Sequence, residues 1–266
     1  MTMPVALTIA GSDSSGGAGI QADLKTFAAL GVYGASVITA LTAQNTIGIS
    51  GIHPVPPAFV TAQIDAVFGD LAVEAVKIGM VAQPATIDAI AAGLTRWSPR
   101  HVVLDPVMVA TSGDRLLAPD AVEALRTKLV PRASLITPNL PEAAALLDEP
   151  VAQSETEIAR QGQLLLAMGC RAVLIKGGHG HGSESIDYLI DPAGTMALSA
   201  PRLATKNTHG TGCSLSSAIA AGLAKGEDLA TAVHHAKAWI SAAIAAADRL
   251  GVGHGHGPIH HFHGFY

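Results

Sequence analysis

Short runs rich in valine, isoleucine and leucine alternate along this chain with longer stretches whose apolar residues recur every three or four positions. That alternation is the pattern of βαβ units, which wind a mostly parallel sheet with helices on its faces. Residues 5–10 read as a first strand, 20–30 as the helix after it and 35–41 as the next buried strand. Helices over 57–68 and 85–95 lead into strands at 75–78 and 101–104, and residues 135–137 and 172–175 repeat the pattern. Asp191-Pro192-Ala193-Gly194, flanked by Tyr188-Leu189-Ile190 and Thr195-Met196-Ala197-Leu198, predicts a hairpin on the otherwise parallel sheet. Two alanine-rich helices, 211–224 and 229–250, then close the chain. No linker or repeat interrupts the series, so the expectation is one α/β domain over residues 1–266, with a three-layer α/β/α build.

Composition narrows the class of partner. Only 14% of the residues are charged and the formal net charge is -5, which offers neither a nucleic-acid footprint nor an anionic-membrane footprint. Small molecules are the expected partners. The opening residues lack a basic region followed by a long apolar stretch, and no uninterrupted apolar span of 18 residues occurs, which predicts a cytoplasmic protein. Cys170 and Cys213 lack the paired spacing of a zinc site or a disulfide framework.

In parallel sheets, ligands bind beyond the carboxyl ends of the strands, which directs attention to a few segments. Asn207-Thr208-His209-Gly210-Thr211-Gly212-Cys213-Ser214 is a turn-rich loop running directly into an apolar helix. Its glycines let the amides of residues 210–213 converge, and a helix N-terminus adds partial positive charge, which together make an anion hole suited to a phosphoryl group. Read alone, the same loop is as readily a glycine-assisted N-cap. Cys213 falls in the first turn, where the helix dipole favours a thiolate. Cys170 reads as a small buried apolar residue. The glycine-rich segment 11–19 has Walker-type spacing at Gly11 and Gly16, but Gly17-Ala18 stands where Lys-Ser/Thr is required, and the dinucleotide register is absent.

At this point the chain resembles a known family. Gly210-Thr211-Gly212-Cys213 is similar to the G-T-G-D signature of the ribokinase superfamily, with cysteine for aspartate as in hydroxymethylpyrimidine kinases and some pyridoxal kinases. The segment Ala10-Gly11-Ser12-Asp13-Ser14-Ser15-Gly16-Gly17-Ala18-Gly19-Ile20-Gln21-Ala22-Asp23 matches the opening motif of the hydroxymethylpyrimidine/phosphomethylpyrimidine kinases almost residue for residue. Thr42-Ala43-Gln44-Asn45-Thr46, Lys77-Ile78-Gly79-Met80, Asp105-Pro106-Val107-Met108, Thr137-Pro138-Asn139-Leu140-Pro141-Glu142-Ala143 and Lys176-Gly177-Gly178-His179 follow in order.

The resemblance implies a ribokinase-like fold and ATP-dependent, Mg²⁺-requiring phosphorylation of 4-amino-5-hydroxymethyl-2-methylpyrimidine, then of its monophosphate, in thiamin synthesis. It assigns the acceptor site to Gly11, Asp23, Gln44, Met80 and Val107. The amide of Gln44 suits an aminopyrimidine edge, and Met80 and Val107 suit the faces of a flat ring. Asn139, Lys176 and Lys237 are implied for the nucleotide, Asp105 and Glu142 for magnesium through water or phosphate oxygens, and Gly210, Thr211, Gly212 and Cys213 for catalysis. A homodimer is also implied. The histidine-rich tail from His254 to His263 is not taken as a metal site, because it lacks companion cysteine or acidic ligands and such tails occur in the family. Two alternatives stand beside this reading. Pyridoxal kinase would use a similar flat acceptor, and a non-catalytic sensor would use the same pocket without turnover.

Overall fold

Alternate residues of each central strand point to opposite faces of one sheet, and the sequence supplies an apolar side chain for both. The computed structural model describes residues 2–108, 119–178 and 182–266. His179 of the lysine-glycine motif lies outside them. The strands of the described residues are β1 (Val5–Asp13), β2 (Tyr33–Gln44), β3 (Ile49–Pro54), β4 (Val73–Ile78), β5 (His101–Leu104), β6 (Leu135–Ile136), β7 (Val173–Ile175), β8 (Glu184–Asp191) and β9 (Gly194–Pro201). They lie in the order β3-β2-β1-β4-β5-β6-β7-β8-β9. The pairs from β2 through β7 are parallel, while β3, β8 and β9 add antiparallel edges.

Leu7, Ile9, Val76, Ile78, Val102, Leu104, Val173 and Ile175 face one layer. It is formed by α2 (Pro57–Asp70), α3 (Pro84–Trp97), α4 (Pro119–Ala124), α5 (Leu140–Leu147) and α6 (Glu155–Leu166). Their neighbours Ala6, Ala75, Val103, Leu135 and Leu174 face α1 (Gly19–Ala29), α7 (Thr211–Ala224) and α8 (Leu229–Ala245). The result is the expected three-layer α/β/α architecture, with strands buried on both faces.

Three boundaries differ from the sequence reading for physical reasons. β1 and β2 run on to Asp13 and Gln44, because the two strands keep pairing beyond a register shift between Ala10 and Ser12. β3 was not anticipated: every residue of it is at least partly exposed, so it carries no apolar alternation, and its terminal Pro54 is tolerated on an edge strand. α8 stops at Ala245 instead of residue 250, giving way to a 3-10 turn over Ala247–Arg249.

Candidate active site

The carboxyl ends of β1, β2, β4, β5 and β7 and the N-termini of α5 and α7 enclose a cavity of about 680 Å³. Gly11, Gln44, Met80, Val107, Asn139, Lys176, Lys237, Asp105, Glu142 and residues 210–213 all line it. Asp23 does not. It is fully buried beneath the cavity in α1, where it accepts hydrogen bonds from Thr8 Oγ1 (2.6 Å) and Ser217 Oγ (2.7 Å) and pairs with Lys77 Nζ at 2.9 Å. The expectation that Asp23 meets the acceptor is corrected accordingly. The aspartate is consumed by an internal ion pair, and Lys77 is the partner that reaches the cavity wall. Burial works against the Lys77 charge, but Asp23 holds its pKa above the usual lysine range.

The glycine-rich segment has a property that its spacing does not show. The Asp13 carboxylate accepts from the amides of Ser15 (2.8 Å), Gly17 (3.1 Å) and Ala18 (2.8 Å), and from Ser15 Oγ (2.7 Å). Burial opposes its ionisation, but the bond to His209 and these donors hold the carboxyl well below the usual range. The turn therefore folds around an anion of its own, so its amides are unavailable to a nucleotide phosphate. His209 Nε2 lies 2.8 Å from Asp13 Oδ2, joining this turn to the loop before α7. Backbone packing does the same: Gly210 adopts φ +80°, and a Cβ there would run into the carbonyl of Gly17.

At the α7 end, the Thr211 amide closes a turn onto Thr208 O (3.1 Å) and the Ser214 amide bonds Gly210 O (2.9 Å). Thr211 is thus removed from the expected set of anion-binding amides. Gly210, Gly212 and Cys213 show no such bond among the described residues. Gly212 brings this end against charged groups, since a Cβ there would sit 3.3 Å from Lys176 Nζ and 3.7 Å from Asp105 Oδ2.

Lys176 Nζ pairs with Asp105 Oδ1 at 2.8 Å and lies 3.9 Å from Glu142 Oε2. Burial would raise Asp105, but the charges of Lys176 and Lys77 hold it below the ordinary carboxylate range. Burial pushes Glu142 up to about 7, with Lys176 opposing and Asp105 adding to the rise. Glu142 is also half of a capping box: its Oε2 accepts from the Asn139 amide (2.8 Å) while Asn139 Oδ1 accepts from the Glu142 amide (2.8 Å). Among the described residues, no three His, Cys, Asp or Glu side chains are placed to cage a metal ion. Asp105 and Glu142 fit Mg²⁺ as one or two carboxylates that leave the rest of its shell to water and nucleotide oxygens, which is the usual way this ion is held.

Gln44 ends β2 half-buried, its Oε1 accepting from Thr42 Oγ1 (3.0 Å) and its backbone amide bonded to Ser14 Oγ (2.9 Å). Lys237 of α8 pairs with Asp187 Oδ2 (2.8 Å), whose other oxygen accepts from the Gly177 amide (2.8 Å).

Cys213 overturns the expected thiolate. Burial pushes its thiol up to about 11; Lys77 and the Gly19 amide pull the other way, and the negative charges of Asp23 and Asp105 add to the rise. Desolvation and two nearby carboxylates outweigh the helix terminus that suggested a lowered value. Cys170 behaves as read, buried, with Sγ against Leu165 O at 3.4 Å. Asp13, Lys77, Asp187 and His209 were missed as parts of this region. Asp13, Lys77 and His209 stood inside quoted motifs, but nothing in spacing alone distinguishes an internal counter-ion from a ligand.

Comparison with known proteins identifies the family and the fold. The phosphomethylpyrimidine kinase family model matches residues 13–260. A hydroxymethylpyrimidine/phosphomethylpyrimidine kinase of Salmonella typhimurium is 58% identical over 98% of both chains. The crystal structure of phosphomethylpyrimidine kinase from Clostridium difficile superposes with a TM-score of 0.81 at 44% identity, over 91% of this chain and 99% of that one. The pyridoxal kinase of Staphylococcus aureus in complex with AMP-PCP and pyridoxal gives 0.88 at 30% identity, covering 98% of this chain and 94% of that one. With a matching family model, relatives of this identity along nearly the whole chain and a shared three-layer fold, the chain belongs to the phosphomethylpyrimidine kinase family of ribokinase-like kinases.

Proposed function

We propose that this chain transfers the γ-phosphoryl group of ATP to the hydroxymethyl group of 4-amino-5-hydroxymethyl-2-methylpyrimidine, and then to the resulting monophosphate, giving the diphosphate used for thiamin. The observation that carries the proposal is the meeting, in one cavity, of an amide-bearing wall at Gln44 with a cationic and amide-lined end at Lys176, Gly212 and Cys213. Gln44 reads the ring and Met80 and Val107 cover its faces. Lys176, Lys237 and Asn139 serve the nucleotide, with Lys176, paired to Asp105, supplying the cation for phosphate. Asp105 and Glu142 orient Mg²⁺, which supplies charge neutralisation on the phosphate oxygens when bound. The amides at the start of α7 take up charge on the transferring group, and Cys213 receives the proton of the acceptor hydroxyl through the fraction of its thiol that is ionised.

Pyridoxal is the second acceptor to weigh, because the solved pyridoxal kinase above shares the fold over nearly the whole chain. An ATP-consumption assay with hydroxymethylpyrimidine, its monophosphate and pyridoxal decides between them. Turnover of both pyrimidines is expected, and turnover confined to pyridoxal would reverse the assignment. Absence of turnover with all three would favour a sensor. We assign the protein to the cytoplasm; among the described residues, no helix is long and apolar enough to cross a membrane. A homodimer is proposed, supported by Leu41, Ile47 and Ile52, which stay exposed around the β2–β3 arm. Light scattering at assay concentration tests it.

A further inference from the structure

The tail beyond α8 spans the two walls that the acceptor site needs in register. Its Gly255 amide donates to Thr46 Oγ1 (3.1 Å) and its His256 amide to Thr46 O (2.8 Å), gripping the turn just after Gln44. The Gly257 amide donates to Asn207 Oδ1 (3.0 Å), and the His209 amide donates to Gly257 O (3.0 Å), so the next residues grip the loop that leads to Gly210. Farther on, His261 Nε2 lies 2.9 Å from Ser214 Oγ, next to Cys213. The tail is itself anchored, by Ile259 at 0% exposure in the layer of α1, α7 and α8 and by the His260 amide on Ala243 O (3.1 Å). Close approach is built in: a Cβ at Gly255 would run into the Thr46 carbonyl, and one at Gly257 into the Asn207 side chain.

We propose that the tail is a positioning strap for the acceptor site, fixing the Gln44 wall relative to the α7 loop. Gly255, Gly257 and His261 are its positioning residues. The histidines therefore serve packing and hydrogen bonding: His260 and His261 are buried, and His256 Nδ1 sits on Lys206 O at 3.1 Å. The kinetic part of this inference rests on the pyrimidine-kinase reading above; the structural part does not.

Gly255→Ala and Gly257→Ala test it, with Gly264→Ala as control because a Cβ there meets nothing within 4 Å. In each strap variant, acceptor kcat/KM is expected to fall about tenfold or more, the scale of a small misplacement of reacting groups. The KM for ATP should stay within about twofold, a split that general loss of fold would not give. Amide hydrogen exchange should speed up together at residues 44–48 and 207–213 while β4 and β5 stay protected. Should a glycine variant fail to fold, His261→Ala against His261→Gln decides, since glutamine can still reach Ser214: the alanine variant should show the loss and the glutamine variant should recover most of it. The strap is overturned if folded variants keep wild-type acceptor kinetics, or if the ATP KM rises in step. Unchanged exchange at both segments overturns it even where the wild type proves inactive on pyrimidines, an outcome that separately ends the functional reading.

Discussion

Cys213 meets the cavity as a protonated thiol, so a role as proton acceptor makes the rate depend on how much thiolate the pH allows. With the thiol near 11, wild-type kcat should rise with pH between about 7 and 9, well below that value. Cys213→Asp, a far stronger acid than the thiol, should show a weaker rise over this range and exceed Cys213→Ala, which is expected to lose about 10²–10⁴-fold in kcat. A flat wild-type profile would remove Cys213 as the base and leave the α7 amides. At the other wall, Gln44→Ala should weaken acceptor binding by about 1–3 kcal/mol with little change for ATP. Equal losses in titration calorimetry with both ligands would make Gln44 structural. At this scale the sequence was readable in position: Lys176 and Gln44, read at strand ends, both line the cavity. It misled at Asp23 and Cys213, because the pairing with Lys77, and the burial and carboxylate charges that raise the thiol, are set by neighbours 54 and more residues away.

Elements explain both what was legible and what was not. Strands β1, β4, β5 and β7 announced themselves because both of their faces are largely buried, which demands runs that are mostly apolar. β3 and the tail lack such a run, and their places are fixed by backbone bonds to Thr42, Ala43 and Thr46, which leave no periodic trace. α7 and the tail also predict a pH response. Burial lowers His261 to about 3, so the folded protein holds it neutral while the unfolded chain binds a proton below about 6.5. The unfolded state then carries more protons as pH falls, and stability drops with it. Between about pH 7 and 5 this one residue should cost about 2 kcal/mol. His261→Gln should show a correspondingly shallower loss in urea midpoints over that range, and an identical slope would contradict the assignment.

Across the whole molecule, the buried Asp23–Lys77 pair joins α1 to β4, with Thr8 of β1 and Ser217 of α7 completing its hydrogen bonds. Removing one member leaves a bare charge in the interior. Lys77→Met is expected to destabilise the fold by about 3–5 kcal/mol in urea unfolding, and adding Asp23→Leu should recover a good part of that. A double variant no better than the single one would show that the hydroxyl bonds, not the charge, dominate. The Asp13–His209 contact spans 196 residues of sequence and is of a different kind. Asp13 behaves as a tethered ligand: a carboxylate that would otherwise have to be captured from solution is carried by the chain and never dissociates. Cutting the tether with Asp13→Gly leaves a vacancy the size of an acetate ion, lined by the amides of Ser15, Gly17 and Ala18 and by His209. Such a variant should become an acetate-dependent kinase, saturating at millimolar anion where the wild type is indifferent, as replacement of an intramolecular partner by a free one requires.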